Sequence, residues 1–169
     1  MSQNNADKTI RKKKRRGVDI LKFVIQRVLN ASCEVNNQII GKIENGLCVF
    51  IGISNSDNEQ IADKMIKKLL NMRIFADEND KTNLNLADVS GSLLLISQFT
   101  LYANCRKGNR PSFIEAGAPQ LANNLYEYII SKCRESVEIV ETGEFGAAMK
   151  IKLENNGPFT IVLNSDDLN

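Results

Sequence analysis

Two short segments hold the residue types with which this chain could do chemistry. Ser97-Gln98-Phe99-Thr100-Leu101 places three polar side chains directly after Leu93-Leu94-Leu95-Ile96, an apolar run that has to be buried. A hydroxyl or carboxamide delivered by such a strand can polarise a carbonyl or donate to an oxyanion. Read as a continuing strand, alternation sets Gln98 and Thr100 on one face and Ser97 and Phe99 on the other. Taken alone, the segment also fits a strand leaving the core, with Ser and Thr satisfying local backbone groups. The second segment is Asn155-Asn156-Gly157-Pro158-Phe159-Thr160. Glycine ahead of proline adds backbone freedom, and an X-Pro bond has access to cis, so Gly157-Pro158 can present a carbonyl where ordinary chain cannot. In isolation an ordinary turn between strands explains it as well.

The composition narrows the chemistry. The 169 residues contain no histidine. Within one chain this excludes a Ser-His-Asp or Cys-His nucleophile, a His-containing zinc or non-haem iron site, and an imidazole base. Cys33, Cys48, Cys105 and Cys133 are far apart and form no CxxC pair, so they read as reduced thiols in a cytosolic protein, with no metal expected. The first 22 residues carry eight basic against two acidic side chains, and the other 147 carry 14 against 18. A basic extension therefore precedes a mildly acidic body. Lys12-Lys13-Lys14-Arg15-Arg16 follows polar sequence that cannot bury a core, and disorder is expected there. It can be a solvated tail, a nucleic-acid-contacting arm or a nuclear import signal, and the sequence leaves the three open. No apolar leader or run long enough to span a bilayer is present, so a soluble, intracellular protein without a membrane partner is expected.

The elements that must position the two segments form an α+β pattern. Residues 23–28 read as a β-branched strand. Residues 31–35 and 38–43 flank Asn36-Asn37, a pair that tolerates positive φ and suits a tight hairpin. Residues 47–53 are apolar on both faces, as in a central strand. Ser56 and Glu59 have capping-box spacing, and Ile61, Met65, Leu69 and Met72 then form one helical stripe. A second helix is predicted over about 119–135, with Leu121, Leu125, Ile129 and Cys133 inward. Residues 77–81 form a polar turn, and residues 93–96 a buried strand. Later strands are predicted at 137–141, 148–153 and 159–163, the last two separated by residues 154–158. The simplest architecture is a single domain with two main helices against a mixed, largely antiparallel, barrel-like sheet. Domain limits follow as an extension at 1–21, a body at 22–164 and a short tail at 165–169.

Considered together, the two segments match the SQFTL and NxGPxT motifs, and the chain from about residue 23 to 163 resembles the D-aminoacyl-tRNA deacylase family. Four further stretches extend the resemblance: residues 24–28, 70–75, 106–113 and 145–149. It implies hydrolysis of the ester joining a D-amino acid, or mischarged glycine, to the 3′ end of tRNA, without a cofactor. It also implies a homodimer with active sites at the subunit interface. There Gly157 and Pro158, held cis and supported by Arg27, enter the partner's pocket. Ser97, Phe99, Phe145, Gly146, Ala147 and Met149 would bind substrate, and Gln98 and Thr100 would be catalytic, Gln98 as oxyanion donor and Thr100 chiefly as a polarising group. An already activated ester with a vicinal ribose hydroxyl fits the missing histidine. Arg106, Lys107 and Arg110 could meet acceptor-stem phosphates or form a solvated loop. Two other readings stay in view: a noncatalytic nucleic-acid-binding protein on the same fold, and a related deacylase with relaxed chirality and a trans Gly-Pro bond.

Overall fold

The computed structural model describes residues 20–168. The basic run from Lys12 to Arg16 lies outside the described residues. Ten elements follow in order: β1 (Lys22–Val35), β2 (Gln38–Ile43), β3 (Gly46–Gly52), α1 (Glu59–Asn71), β4 (Phe75–Ala76), β5 (Thr82–Leu84), β6 (Ser92–Ser97), α2 (Pro119–Arg134), β7 (Val140–Thr142) and β8 (Lys150–Asn164). Short 3₁₀ turns occupy Phe99–Tyr102 and Ser165–Leu168.

β1 is the spine of the sheet. Along one edge it pairs antiparallel with β8; along the other it pairs antiparallel with β3 in its first half and with β2 in its second. β6 continues the sheet parallel to β3, and β7 parallel to β6. β2 then returns to β7 so closely that a Cβ on Gly41 would lie 2.7 Å from the Thr142 carbonyl oxygen. The result is the nearly closed, mixed, barrel-like sheet with two helices that the pattern predicts.

Strand alternation divides the interior into two cores. Phe23 and Ile25 of β1, Leu47, Val49 and Ile51 of β3, and Leu93 and Leu95 of β6 face α1 and α2. Cys33, Cys48, Leu94 and Ile96 face the other side, packed with Val28, Ala31 and Ile43. All four residues from Leu93 to Ile96 are fully buried, worth about 1.5–3 kcal/mol per aliphatic side chain, so the strand that delivers Ser97 is firmly held. Leu21, just ahead of β1, is also fully buried.

The Asn36-Asn37 hairpin forms with both residues at positive φ, 51° and 62°, as a primed turn requires. Other details differ from the sequence expectation. The cap of α1 is Asn58, whose side chain accepts the Ile61 N–H at 3.0 Å, while the Ser56 hydroxyl pairs with that of Ser54. Ser and Asn are comparable caps, and the local turn in which Asp57 accepts the Ser54 N–H at 2.7 Å moves the start by two residues. The polar turn at 77–81 joins the small hairpin β4–β5, which the sequence did not suggest. β7 starts at Val140 rather than 137. The strands predicted at 148–153 and 159–163 are one strand, β8, because both halves pair with the same continuous β1. The Phe99–Thr100 stretch is a 3₁₀ turn rather than strand.

Candidate active site

β6 carries Ser97 to the end of its ladder, where Ser97 sits opposite Ile51. One more sheet bond follows, from the Gln98 N–H to the Ile51 carbonyl at 2.8 Å. The chain then folds into the 3₁₀ turn, anchored by buried Tyr102, whose hydroxyl donates to the Ile20 carbonyl. The turn brings Thr100 back toward Gln98, and the Gln98 Nε2 donates to the Thr100 Oγ1 at 2.5 Å. The two side chains are therefore neighbours through the turn, not through strand alternation.

Beside this turn lies a cavity of about 560 Å³. The residues expected to bind substrate, Ser97, Phe99, Phe145, Gly146, Ala147 and Met149, all line it, as does the expected oxyanion donor Gln98, together with Phe113, Ile114 and the start of α2 at Ala118 and Pro119. Thr100 does not line it, and its hydroxyl accepts from Gln98, which does. None of the lining residues carries an ionisable side chain. The rim includes an edge-to-face pair, Phe99 on Phe113, with ring centres 5.3 Å apart. Ile114 is 87% exposed there.

The 145–149 wall is set by α2 and β6. The Tyr126 hydroxyl donates to the Leu95 carbonyl at 2.8 Å, and Gly143 N–H bonds the same oxygen at 3.1 Å. Burial raises the Tyr126 phenol well above its ordinary range, so it remains a neutral donor. Its ring packs on Phe145 at 6.2 Å. Gly146 follows at φ +78°, a conformation that side chains rarely adopt.

Gly157 and Pro158 are not in this wall. Their peptide bond is cis, and both are exposed on β8. The register runs Gln26 opposite Thr160 and then Val28 opposite Asn155, so Arg27 alone faces residues 156–159. Arg27 is 8% exposed and donates to three carbonyls: Asn156 (3.0 Å), Gly157 (3.0 Å) and Ile74 (2.6 Å). Its guanidinium also lies 4.5 Å from the Phe159 ring centre. Burial lowers its pKa from the usual guanidinium value, which still leaves it charged at neutral pH. Asn155 completes the arrangement, and its contribution could have been suspected from its fixed place in the motif.

Arg106, Lys107 and Arg110 are exposed on a loop closed by the Asn104–Ser112 bridge, immediately before the pocket residues Phe113 and Ile114. A second cavity of about 400 Å³, lined in part by Leu70, Asn71, Ser90 and Glu138, contains none of the expected residues. Among the described residues no cluster of three or more His, Cys, Asp or Glu could hold a metal ion. The four thiols are free; Cys33, Cys48 and Cys133 are buried, and burial pushes Cys48 and Cys133 up to about 12. No described helix is long and apolar enough to cross a membrane.

The chain is similar to known proteins over most of its length. The sequence pattern of the family described as D-Tyr-tRNA(Tyr) deacylase matches residues 24–164. A D-aminoacyl-tRNA deacylase of Thermosipho melanesiensis is 49% identical over 146 residues, which cover 86% of this chain and 97% of the relative. One from Haemophilus influenzae is 52% identical over 141 residues, 83% and 97% of the two chains. Among solved structures, the c-Myc DNA Unwinding Element Binding Protein superposes with a TM-score of 0.79 at 37% identity, over 84% of this chain and 97% of that one. With the pattern spanning all but the ends, and with half the residues shared across nearly the full length of these relatives, the chain belongs to the D-aminoacyl-tRNA deacylase family.

Proposed function

We propose that this chain hydrolyses the ester of D-aminoacyl-tRNA, and of glycine mischarged on tRNA, releasing the free amino acid and tRNA in the cytoplasm. The observation that carries the reading is the pocket itself, which gathers the Ser97–Phe99 and 145–149 segments and has no ionisable lining residue. Such a site has no acid, base or activated nucleophile to offer. It can bind, orient and stabilise charge, which is enough for an ester that is already activated and carries a neighbouring hydroxyl.

Water adds to the ester carbonyl, and the ribose vicinal hydroxyl relays its proton. The tetrahedral oxyanion collapses by expelling the ribose oxygen, which takes up that proton. Gln98 has one amide hydrogen bound to Thr100 and a second free to meet the oxyanion, while the first amides of the 3₁₀ turn have no acceptor within the turn. Thr100, whose hydroxyl accepts from Gln98, orients that amide. A threonine without an adjacent base is a poor nucleophile, so the attacking group is water.

Gly157 and Pro158 act in the partner's pocket of a homodimer. Two features support this: they are exposed and absent from their own chain's pocket, and β8 pairs only with β1 among the described residues, with Val162 of β8 61% exposed and Leu29 of β1 47% exposed. A long edge strand with exposed apolar residues invites a second chain. Carbonyls of Gly157 and Pro158 hold the substrate's α-amino group, so an L side chain meets backbone while a D side chain points outward. Selection by exclusion then tolerates many D side chains and glycine.

The test compares release of labelled amino acid from D- and L-aminoacyl-tRNA by the purified protein. Rapid loss of the D ester, with the L ester persisting, is expected. A folded dimer that binds tRNA but leaves the D ester intact would replace this reading with that of a noncatalytic nucleic-acid-binding protein.

A further inference from the structure

β8 bulges by four residues, 156–159, against the single residue Arg27, and a bulge that wide has lost its ladder bonds to β1. Side chains replace them. Arg27 donates to the carbonyls of Asn156 and Gly157 and so fixes the crest. The base is fixed differently. The Asn155 carboxamide nitrogen donates to the Arg27 carbonyl across the strand pair at 3.0 Å and to the Phe159 carbonyl across the mouth of the bulge at 3.1 Å. A primary amide nitrogen has two hydrogens, and both are used. Asn155 thus ties the two ends of the bulge to each other and to the residue whose side chain holds the crest.

We propose that Asn155 is a positioning residue for the Gly157-Pro158 crest, and that the span it sets between residues 155 and 159 governs discrimination between D and L esters. The inference rests on the proposal that the crest enters the partner's pocket. The chemistry of the position is restrictive. Aspartate has the same shape but no hydrogens, and would face two carbonyl oxygens with a carboxylate. Alanine or serine cannot span both. Asn155 is exposed and does not line the pocket, so a change there acts on geometry rather than on ester binding in its own chain. Displacing a recognition group by about 1 Å costs up to about a hundredfold in rate.

The experiment measures D- and L-ester hydrolysis, dimer mass and thermal midpoint for wild type, Asn155→Asp and Asn155→Ser. Asn30→Ala is the structural control, because it removes a different β1–β8 side-chain bond, to Glu154. The D-to-L rate ratio should fall by about tenfold to a hundredfold in both Asn155 variants, mainly through kcat. The dimer should persist, and Asn30→Ala should retain the wild-type ratio. Hydrogen exchange across residues 154–162 should quicken in the same variants, a readout that remains usable if one of them is marginally stable. An unchanged ratio in a folded Asn155→Asp dimer, with wild type active, overturns the inference and leaves the proposed function standing. Wild type lacking D-ester hydrolysis overturns both.

Discussion

Arg27 occupies a position where alternation in β1, after Phe23 and Ile25, would put an apolar side chain. No acidic partner pairs with it among the described residues; three carbonyl dipoles and one aromatic face take that place. A buried cation held by backbone is costly unless its geometry is put to use, and here two of the three carbonyls it holds, those of Asn156 and Gly157, lead into the Gly157-Pro158 crest. At the pocket the opposite logic applies, with charge excluded altogether. This fixes the expected pH dependence. With no lining group that titrates between about pH 5 and 9, kcat should rise with pH or stay level, and any inflection in kcat/KM belongs to the substrate's α-amino group. A rate profile across that range tests it, and a bell with two limbs in kcat would require an acid and a base that the pocket lacks.

At the scale of elements, the loop closed by Asn104 and Ser112 connects electrostatics to the pocket, because its next residues, Phe113 and Ile114, form the rim. Replacing Arg106, Lys107 and Arg110 together by alanine should weaken tRNA binding and lower the slope of log K against log salt by about 2–3. Titrations at several salt concentrations measure this; an unchanged slope would return the loop to plain solvent exposure. How far such elements were legible depended on whether their cause was local. The Asn36-Asn37 turn, central β3 and both helices follow from turn chemistry and apolar periodicity within the segment. In β8, Gly157 and Pro158 look like a break between two strands, whereas the long partner β1 holds both halves in one ladder. Strand alternation puts Gln98 and Thr100 on one face, but their contact comes from a 3₁₀ turn that nothing local distinguishes from a strand end. Arg27 stands out as a charge on a buried face, but its carbonyl partners lie 47 to 130 residues away in sequence and are visible only in the fold.

For the whole molecule, the arrangement predicts which chain owns each half of a site. The pocket residues and the crest lie on different parts of one chain, and in a two-fold dimer each pocket would be completed by the other subunit's crest. Gly157→Val is a clean lesion of the crest, because an added Cβ meets only the Asn155 Oδ1, at 3.8 Å, and leaves the chain's own packing undisturbed. Gln98→Ala is the matching lesion of the pocket. Each variant alone should be folded, dimeric and inactive on D-aminoacyl-tRNA. Refolding the two together in equal amounts makes half of the dimers mixed. A mixed dimer has one site with both lesions and one with neither, so activity should return to about a quarter of wild type. Sites built within a single chain would give no recovery at any ratio, because every pocket and its own crest would still carry one lesion between them. The recovered fraction, followed as the mixing ratio is varied, should peak at equal amounts and fall symmetrically on either side.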